Sequence, residues 1–197
     1  MQEFWFRPLI WVDYRLAVFF LVGLPLVLLI WATFKRAEAI QKLLIIYWRV
    51  ASLLMITVYV MIAGWSIGFV SGFAARLLIP ISLWFWVDAN DEIADAPASS
   101  LKLVFTAWRW AVTLYCTLAS LLMIPFLSCT FAGEAVKTNF CSVWLEPTWL
   151  YREWFHANST PGFLGFVGMT GLCIYAIYLV YFLLLRLGKQ GRSAMEQ

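Results

Sequence analysis

Asp88, Asp91, Glu92 and Asp95 form the densest group of ionisable side chains in the sequence. On a helix their spacing of i, i+3, i+4 and i+7 puts all four carboxylates on one face. Such a face can attract a divalent cation, but the glycine and terminal glutamate of a calcium loop are missing. A solvated acidic loop is the simpler expectation, with docking onto a basic partner surface as the functional alternative. No metal site is expected. Two other charges interrupt apolar stretches. Arg109 lies between Trp108 and Trp110, where a long side chain can snorkel to the interface. Arg76 is more isolated, and a lone cation in hydrocarbon is costly unless it is paired or near water. It suits a lipid headgroup, a partner's carboxylate, or a turn between two spans, and the turn is the preferred expectation. His156 is the only histidine. A bis-histidine haem, a multi-histidine metal site and a histidine relay all need a second imidazole. A single axial ligand to a chlorophyll is the most it can offer.

Nucleophile and base pairs cannot be assembled from motifs. The chain has no Walker A lysine, no HExxH and no CxxC, which leaves Glu134, Glu146 and His156 as the main candidates for an enzyme. Ser52, Thr57, Thr113 and Ser120 lie in apolar runs, where hydroxyls more often satisfy local carbonyls. Asn158-Ser159-Thr160 matches a glycosylation sequon, a weak signal. The expectation is a protein that is not an enzyme and carries no cofactor.

The elements that position these residues follow from composition. The chain has 197 residues, 63% of them hydrophobic, with a mean hydropathy of +0.83. A bilayer core takes about 20 apolar residues per helix. The long apolar runs contain no Asp, Glu or His. The predicted fold is an all-α, polytopic transmembrane bundle forming one membrane domain, with spans at about residues 16–34, 43–65, 66–87, 103–127 and 163–187. Pro25 predicts a mild kink in the first span. Ser99-Ser100 and Ser159-Thr160-Pro161 mark the starts of the last two. The 12 Trp, many near predicted span ends, read as an aromatic belt. A net charge of +3 is too small to argue for nucleic acid.

Orientation follows from basic residues. Lys35, Arg36 and Lys42 lie between the first two spans, and Arg186, Lys189 and Arg192 lie at or beyond the end of the last. The positive-inside rule puts both groups on the cytoplasmic side. Only an odd number of crossings satisfies both, so five spans are preferred over four, with the N-terminus outside. Residues 128–162 then form an external loop. Cys129 and Cys141 fall in it, where an oxidising compartment favours a disulfide over two free thiols. Cys116 and Cys173 read as apolar fillers.

Two glycine series bear on packing. Gly64, Gly68 and Gly72 read as a GxxxGxxxG groove, and Gly162, Gly165, Gly168 and Gly171 leave small residues near one side of the last span. Each could pack within the bundle or present a face to a partner, a pigment or a lipid. The first series also favours a helix running through residue 72, against a tight hairpin near residue 66.

The opening residues Glu3-Phe4-Trp5-Phe6-Arg7-Pro8-Leu9, followed by Trp11-Val12-Asp13-Tyr14-Arg15-Leu16-Ala17, resemble the start of a family of small cyanobacterial thylakoid membrane proteins of unknown function. The chain length, the Trp-rich interfaces and the acidic loop fit the same resemblance. It implies a photosynthetic membrane and a link to photosynthetic complexes, and it transfers no site residues. On its own residues this segment reads as interfacial, with Asp13 and Arg15 sharing a local ion pair. The function expected is an accessory subunit or assembly factor of a larger membrane complex, with a membrane-protein partner. A small transporter or channel is the alternative.

Overall fold

In a computed structural model, residues 5–131, 139–187 and 192–194 are described. Glu3, Phe4, Glu134 and Lys189 fall outside this set, as does the side chain of Arg186. Five helices are long and apolar enough to cross a membrane: α1 (Arg7–Lys35), α2 (Glu38–Ile62), α3 (Ile67–Trp84), α5 (Ser100–Phe131) and α7 (Pro161–Leu185). Two shorter helices, α4 (Val87–Asp95) and α6 (Glu146–Phe155), lie between spans. The described residues contain no strand. The expected all-α bundle with five spans is the observed one.

Both tight turns between the early spans use the same hydrogen-bond pattern. At the end of α2, Gly64 has φ 73°, Gly64 N–H donates to Met61 O and Trp65 N–H to Val60 O. This is a Schellman turn, which needs a left-handed residue and suits glycine. The chain therefore reverses at residues 63–66. Gly64 belongs to the turn, while Gly68 and Gly72 lie in α3, so the three glycines do not form one helical stripe. Arg36 ends α1 in the same way, with φ 53°, and its neighbour Ala37 donates to Ala32 O. The end of the bundle carrying Lys35, Arg36 and Lys42 is called the basic end below.

α1 begins at Arg7, well before the apolar run at Leu16. The segment read as interfacial is its first turns, and Ile10 and Asp13 are buried there. Around Pro25 the helix widens into a π-turn over Val18–Gly23, and Leu24 N–H donates to Phe19 O. Proline has no N–H to give. Two carbonyls near it are served from other helices: Tyr47 donates to Leu21 O at 2.6 Å and the Trp108 indole to Phe20 O at 2.9 Å. In hydrocarbon such groups must be satisfied by protein. Irregular α1 is thereby fixed to α2 and α5. Trp108, like Trp86 and Trp144, is core, whereas Trp5, Trp110 and Trp154 are exposed. The aromatic belt is thus incomplete.

α2 packs most extensively against α3 and α7, and α3 also against α5. The α2–α7 seam is made by glycine. A Cβ on Gly168 would stand 2.8 Å from Val60 N, and one on Gly165 would collide with Ala63. At the opposite end from the basic loop, Cys129 in α5 and Cys141 in the helical turn Asn139–Ser142 form a disulfide. Phe126 stacks on Phe140, with centroids 4.6 Å apart, and Phe6 meets both edge-on. This disulfide end therefore ties α1, α5 and the connecting segment together.

Overpacking a tight seam costs about 1–3 kcal/mol. Gly168→Leu is expected to lower the melting temperature in detergent, whereas Gly162→Ala, where an added Cβ meets nothing within 4 Å, leaves it unchanged. The bonded cysteines are 12 residues apart. Closing so short a loop stabilises by about 3 kcal/mol on the chain-entropy account. Cys141→Ser should lose roughly that amount in denaturant unfolding, and the wild-type chain should shift mobility on reduction.

Candidate functional site

The chemistry of the bundle gathers where α1, α3 and α5 meet. Arg76 stands midway along α3, a helix with small residues at Gly68, Ser71, Gly72 and Ala75 that lets its neighbours approach. Its Nη2 donates to Asp13 Oδ2 at 2.5 Å, and the two side chains are 7% and 4% exposed. Tyr115 on α5 donates its hydroxyl toward Asp13, with Oδ1 at 2.8 Å and the backbone carbonyl at 2.9 Å. Arg76 Nη1 reaches Gly72 O at 3.4 Å and Met123 Sδ at 3.6 Å. The Trp144 ring lies 5.5 Å from the guanidinium carbon, and its edge packs beside Tyr14. Tyr14 in turn donates to Trp144 O at 3.2 Å. Arg76 Nε and Trp144 Nε1 are buried without a protein acceptor.

This geometry corrects two expectations. Arg76 is not at a turn, because the turn falls at Gly64 and α3 continues through it. Asp13 does not pair with Arg15. It points into the bundle on the same side as Ile10, where Arg76 needs a counter-charge. A carboxylate thus lies inside a membrane-spanning helix after all. Asp13, Tyr14, Tyr115 and Trp144 were missed as site residues. A signal was available: Asp13 continues a helical stripe with Phe6 and Ile10, and Arg76 lacked a counter-ion.

An analogous, smaller arrangement holds Arg109. Its guanidinium donates to the Asn90 side chain on α4, outside the spans, and lies 4.0 Å above the Trp84 ring. It therefore reaches toward the end of the span but is covered by protein there. Trp84 donates to Thr113 at 2.9 Å. Ser52, Thr57 and Thr113 donate to the carbonyls of Arg49, Leu53 and Arg109 in their own helices.

The acidic residues divide by role. Asp88 accepts from Ser193 Oγ at 2.7 Å and from Ala194 N–H at 2.8 Å. Arg192 Nε adds a bond to Phe85 O at 2.8 Å. Residues 192–194 are therefore fastened to the start of α4. Asp91, Glu92 and Asp95 are exposed on α4, whose other side buries Ala89 and Ile93. Among the described residues no cluster of His, Cys, Asp and Glu could hold a metal. At the disulfide end, His156 Nε2 and Tyr59 Oη are 2.8 Å apart, and Tyr151 packs against both. Burial, together with Tyr59, pushes the Tyr151 phenol above its ordinary value. Glu146, the other external candidate for catalysis, is bound by Arg7 at 2.9 Å and by the Trp11 indole. Gly165 and Gly168 face α2, Gly68 faces Met61, and Gly72 lies against Thr57, Met123 and Arg76.

Fold and site together define an α-helical protein of five potential membrane spans, crosslinked by a buried aspartate–arginine pair. The chain belongs to the family described as "Protein of unknown function (DUF3177)", which matches residues 7–195. No curated protein and no solved structure matches it.

Breaking a buried ion pair by removing one partner costs about 3–5 kcal/mol, whereas removing both charges is often neutral. Asp13→Leu and Arg76→Leu are each expected to destabilise the bundle strongly in detergent unfolding. The double variant should recover most of the loss. Tyr115→Phe, which removes one donor from the carboxylate, should cost about 1–2 kcal/mol.

Proposed function

We propose that this chain is a non-enzymatic accessory subunit or assembly factor of a larger membrane complex. The observation that supports it best is the division between a closed interior and outward faces left free. Asp13, Arg76 and Tyr115 are bonded to one another beneath Trp144. Against this, only 6% of the most apolar stretch of α7 is buried, compared with 50% for α3. A seam of glycines and a Tyr175 bond to Val50 O hold α7 to α2, and its outward side is apolar and exposed. The exposed carboxylates of α4 add a charged aqueous surface next to the membrane. Apolar and acidic faces of this kind suit a partner that has spans of its own and a basic loop.

The basic end is assigned to the cytoplasmic (or stromal) side and the disulfide end to the opposite, oxidising side. The resemblance at the N-terminus favours the cyanobacterial thylakoid as the membrane. A transporter is the second reading, favoured by one specific feature, an acid–base pair at depth in the spans.

Purification of the tagged chain from its native membrane in mild detergent, followed by mass spectrometry, tests the proposal. Stoichiometric recovery with another membrane protein, lost when Asp91, Glu92 and Asp95 are all changed to Lys, is the expected result. Recovery of the chain alone, with a proteoliposome flux that Arg76→Ala abolishes, would replace it with transport.

A further inference from the structure

Arg49, like Arg76 and Arg109, interrupts an apolar run, and unlike those two it is exposed. No hydrogen bond or ion pair reaches its guanidinium among the described residues. It lies 11 residues into α2, about 16 Å along a helix rising 1.5 Å per residue. α2 itself, at 25 residues, is longer than a bilayer core is thick. Taking the hydrocarbon to begin at Leu43, where the apolar run starts, the Arg49 backbone lies about 9 Å inside it. Its side chain, directed toward the helix N-terminus, reaches back to about the hydrocarbon boundary beneath the lipid esters.

Two grooves meet at this residue. One, of about 620 Å³, runs along the crease between α2 and α7 from Arg49 and Tyr178 to Ile56 and Gly171. The other is a narrower slot of about 160 Å³ toward the basic end, between α2, α3 and α7, with Leu78, Phe85 and Phe182 among its walls. Arg49, Tyr175 and Tyr178 border both. The Tyr175 hydroxyl is turned toward Val50 O at 3.4 Å, which leaves Tyr178 as the phenol flanking the cation. Gly171 forms the far wall of the larger groove against Ile56, whose Cγ1 would stand 3.4 Å from an added Cβ.

A cation without a counter-charge among the described residues, directed toward the headgroups above an apolar crease, matches an amphiphile of opposite charge. We infer that Arg49 and the α2–α7 crease bind one anionic glycerolipid from the leaflet at the basic end. The acidic headgroup sits on Arg49 and an acyl chain lies in the groove toward Gly171. This site is separate from the Asp13–Arg76 pair and does not depend on the accessory role proposed above.

The test is native mass spectrometry of the purified full chain, titrated with phosphatidylglycerol or with phosphatidylcholine of the same acyl chains. One phosphatidylglycerol adduct is expected, favoured about five-fold over phosphatidylcholine for one interfacial arginine. Arg49→Leu should remove the preference, and Arg49→Lys should keep most of it. Arg36→Gln, at a basic residue outside both grooves, should not alter it. Gly171→Phe should weaken both lipids by filling the groove with Arg49 intact, and it reads the site independently if Arg49→Leu fails to fold. Equal adducts of the two lipids in the wild-type chain would overturn the inference. So would a preference that survives Arg49→Leu, or glycerol phosphate without acyl chains binding as well as the lipid.

Discussion

The Asp13–Arg76 pair is the constraint that the rest of the bundle accommodates. α3 is the shortest span and carries a guanidinium near its centre, so it cannot face lipid on that side. The counter-charge must come from another helix, and Asp13 supplies it only if α1 is already helical from Arg7 and inserted to that depth. Tyr115 then fixes α5 by donating to the free carboxylate oxygen. A buried pair adds little net stability compared with apolar packing, but each charge makes the other obligatory. That mutual requirement specifies which faces of α1, α3 and α5 meet, a specificity that apolar helices in lipid otherwise lack.

The disulfide end follows from the same requirement. A buried ion pair is useful as a register device only while water is kept away from it. Trp144, fully buried, provides that cover. It is held by Tyr14, by Phe126 and by the turn that follows Cys141. The bond between Cys129 and Cys141 thus anchors a lid over the pair as well as closing a loop. Both buried arginines use one device: a polar partner at the Nη end and a tryptophan face beside the guanidinium. Their Nε groups are the donors left without a protein acceptor.

Much of the architecture was legible in the sequence because it depends on local properties. Apolar run lengths mark where spans lie, and the placement of the basic residues selects five over four. Ser99 and Thr160 accept from Lys102 and Phe163 N–H at helix starts, where short hydroxyl side chains would be expected. The polar core was less legible because it depends on pairing between distant residues. Asp13 lies outside the first apolar run, and nothing local distinguishes a carboxylate that enters the membrane from one that stops at its surface. Gly64 shows the converse problem. A spacing of four suggested one helical stripe, but a left-handed turn also selects glycine, and the turn prevailed. Arg76 was misplaced for the same reason, since locating the turn decides whether it lies in the span or beside it.

Three arginines, Arg49, Arg76 and Arg109, interrupt the apolar runs of the spans, whereas Arg15 precedes the first run, and the protein treats the three differently. Arg76 has a carboxylate and Arg109 has an amide, each with an aromatic face. Arg49 has neither and looks outward from the α2–α7 crease. A bundle that satisfies even the two carbonyls near Pro25 with side chains from other helices is unlike one that leaves a charge to chance. The difference tracks position. The interior at the disulfide half is closed by Trp144 and the disulfide, whereas toward the basic half α7 meets its neighbours through Tyr175 on Val50 O and Phe182 on Trp86, with grooves left between these contacts. Among the described residues no carboxylate meets Arg49, and the species that best combines a negative charge with an apolar body beside this crease is the anionic lipid proposed above.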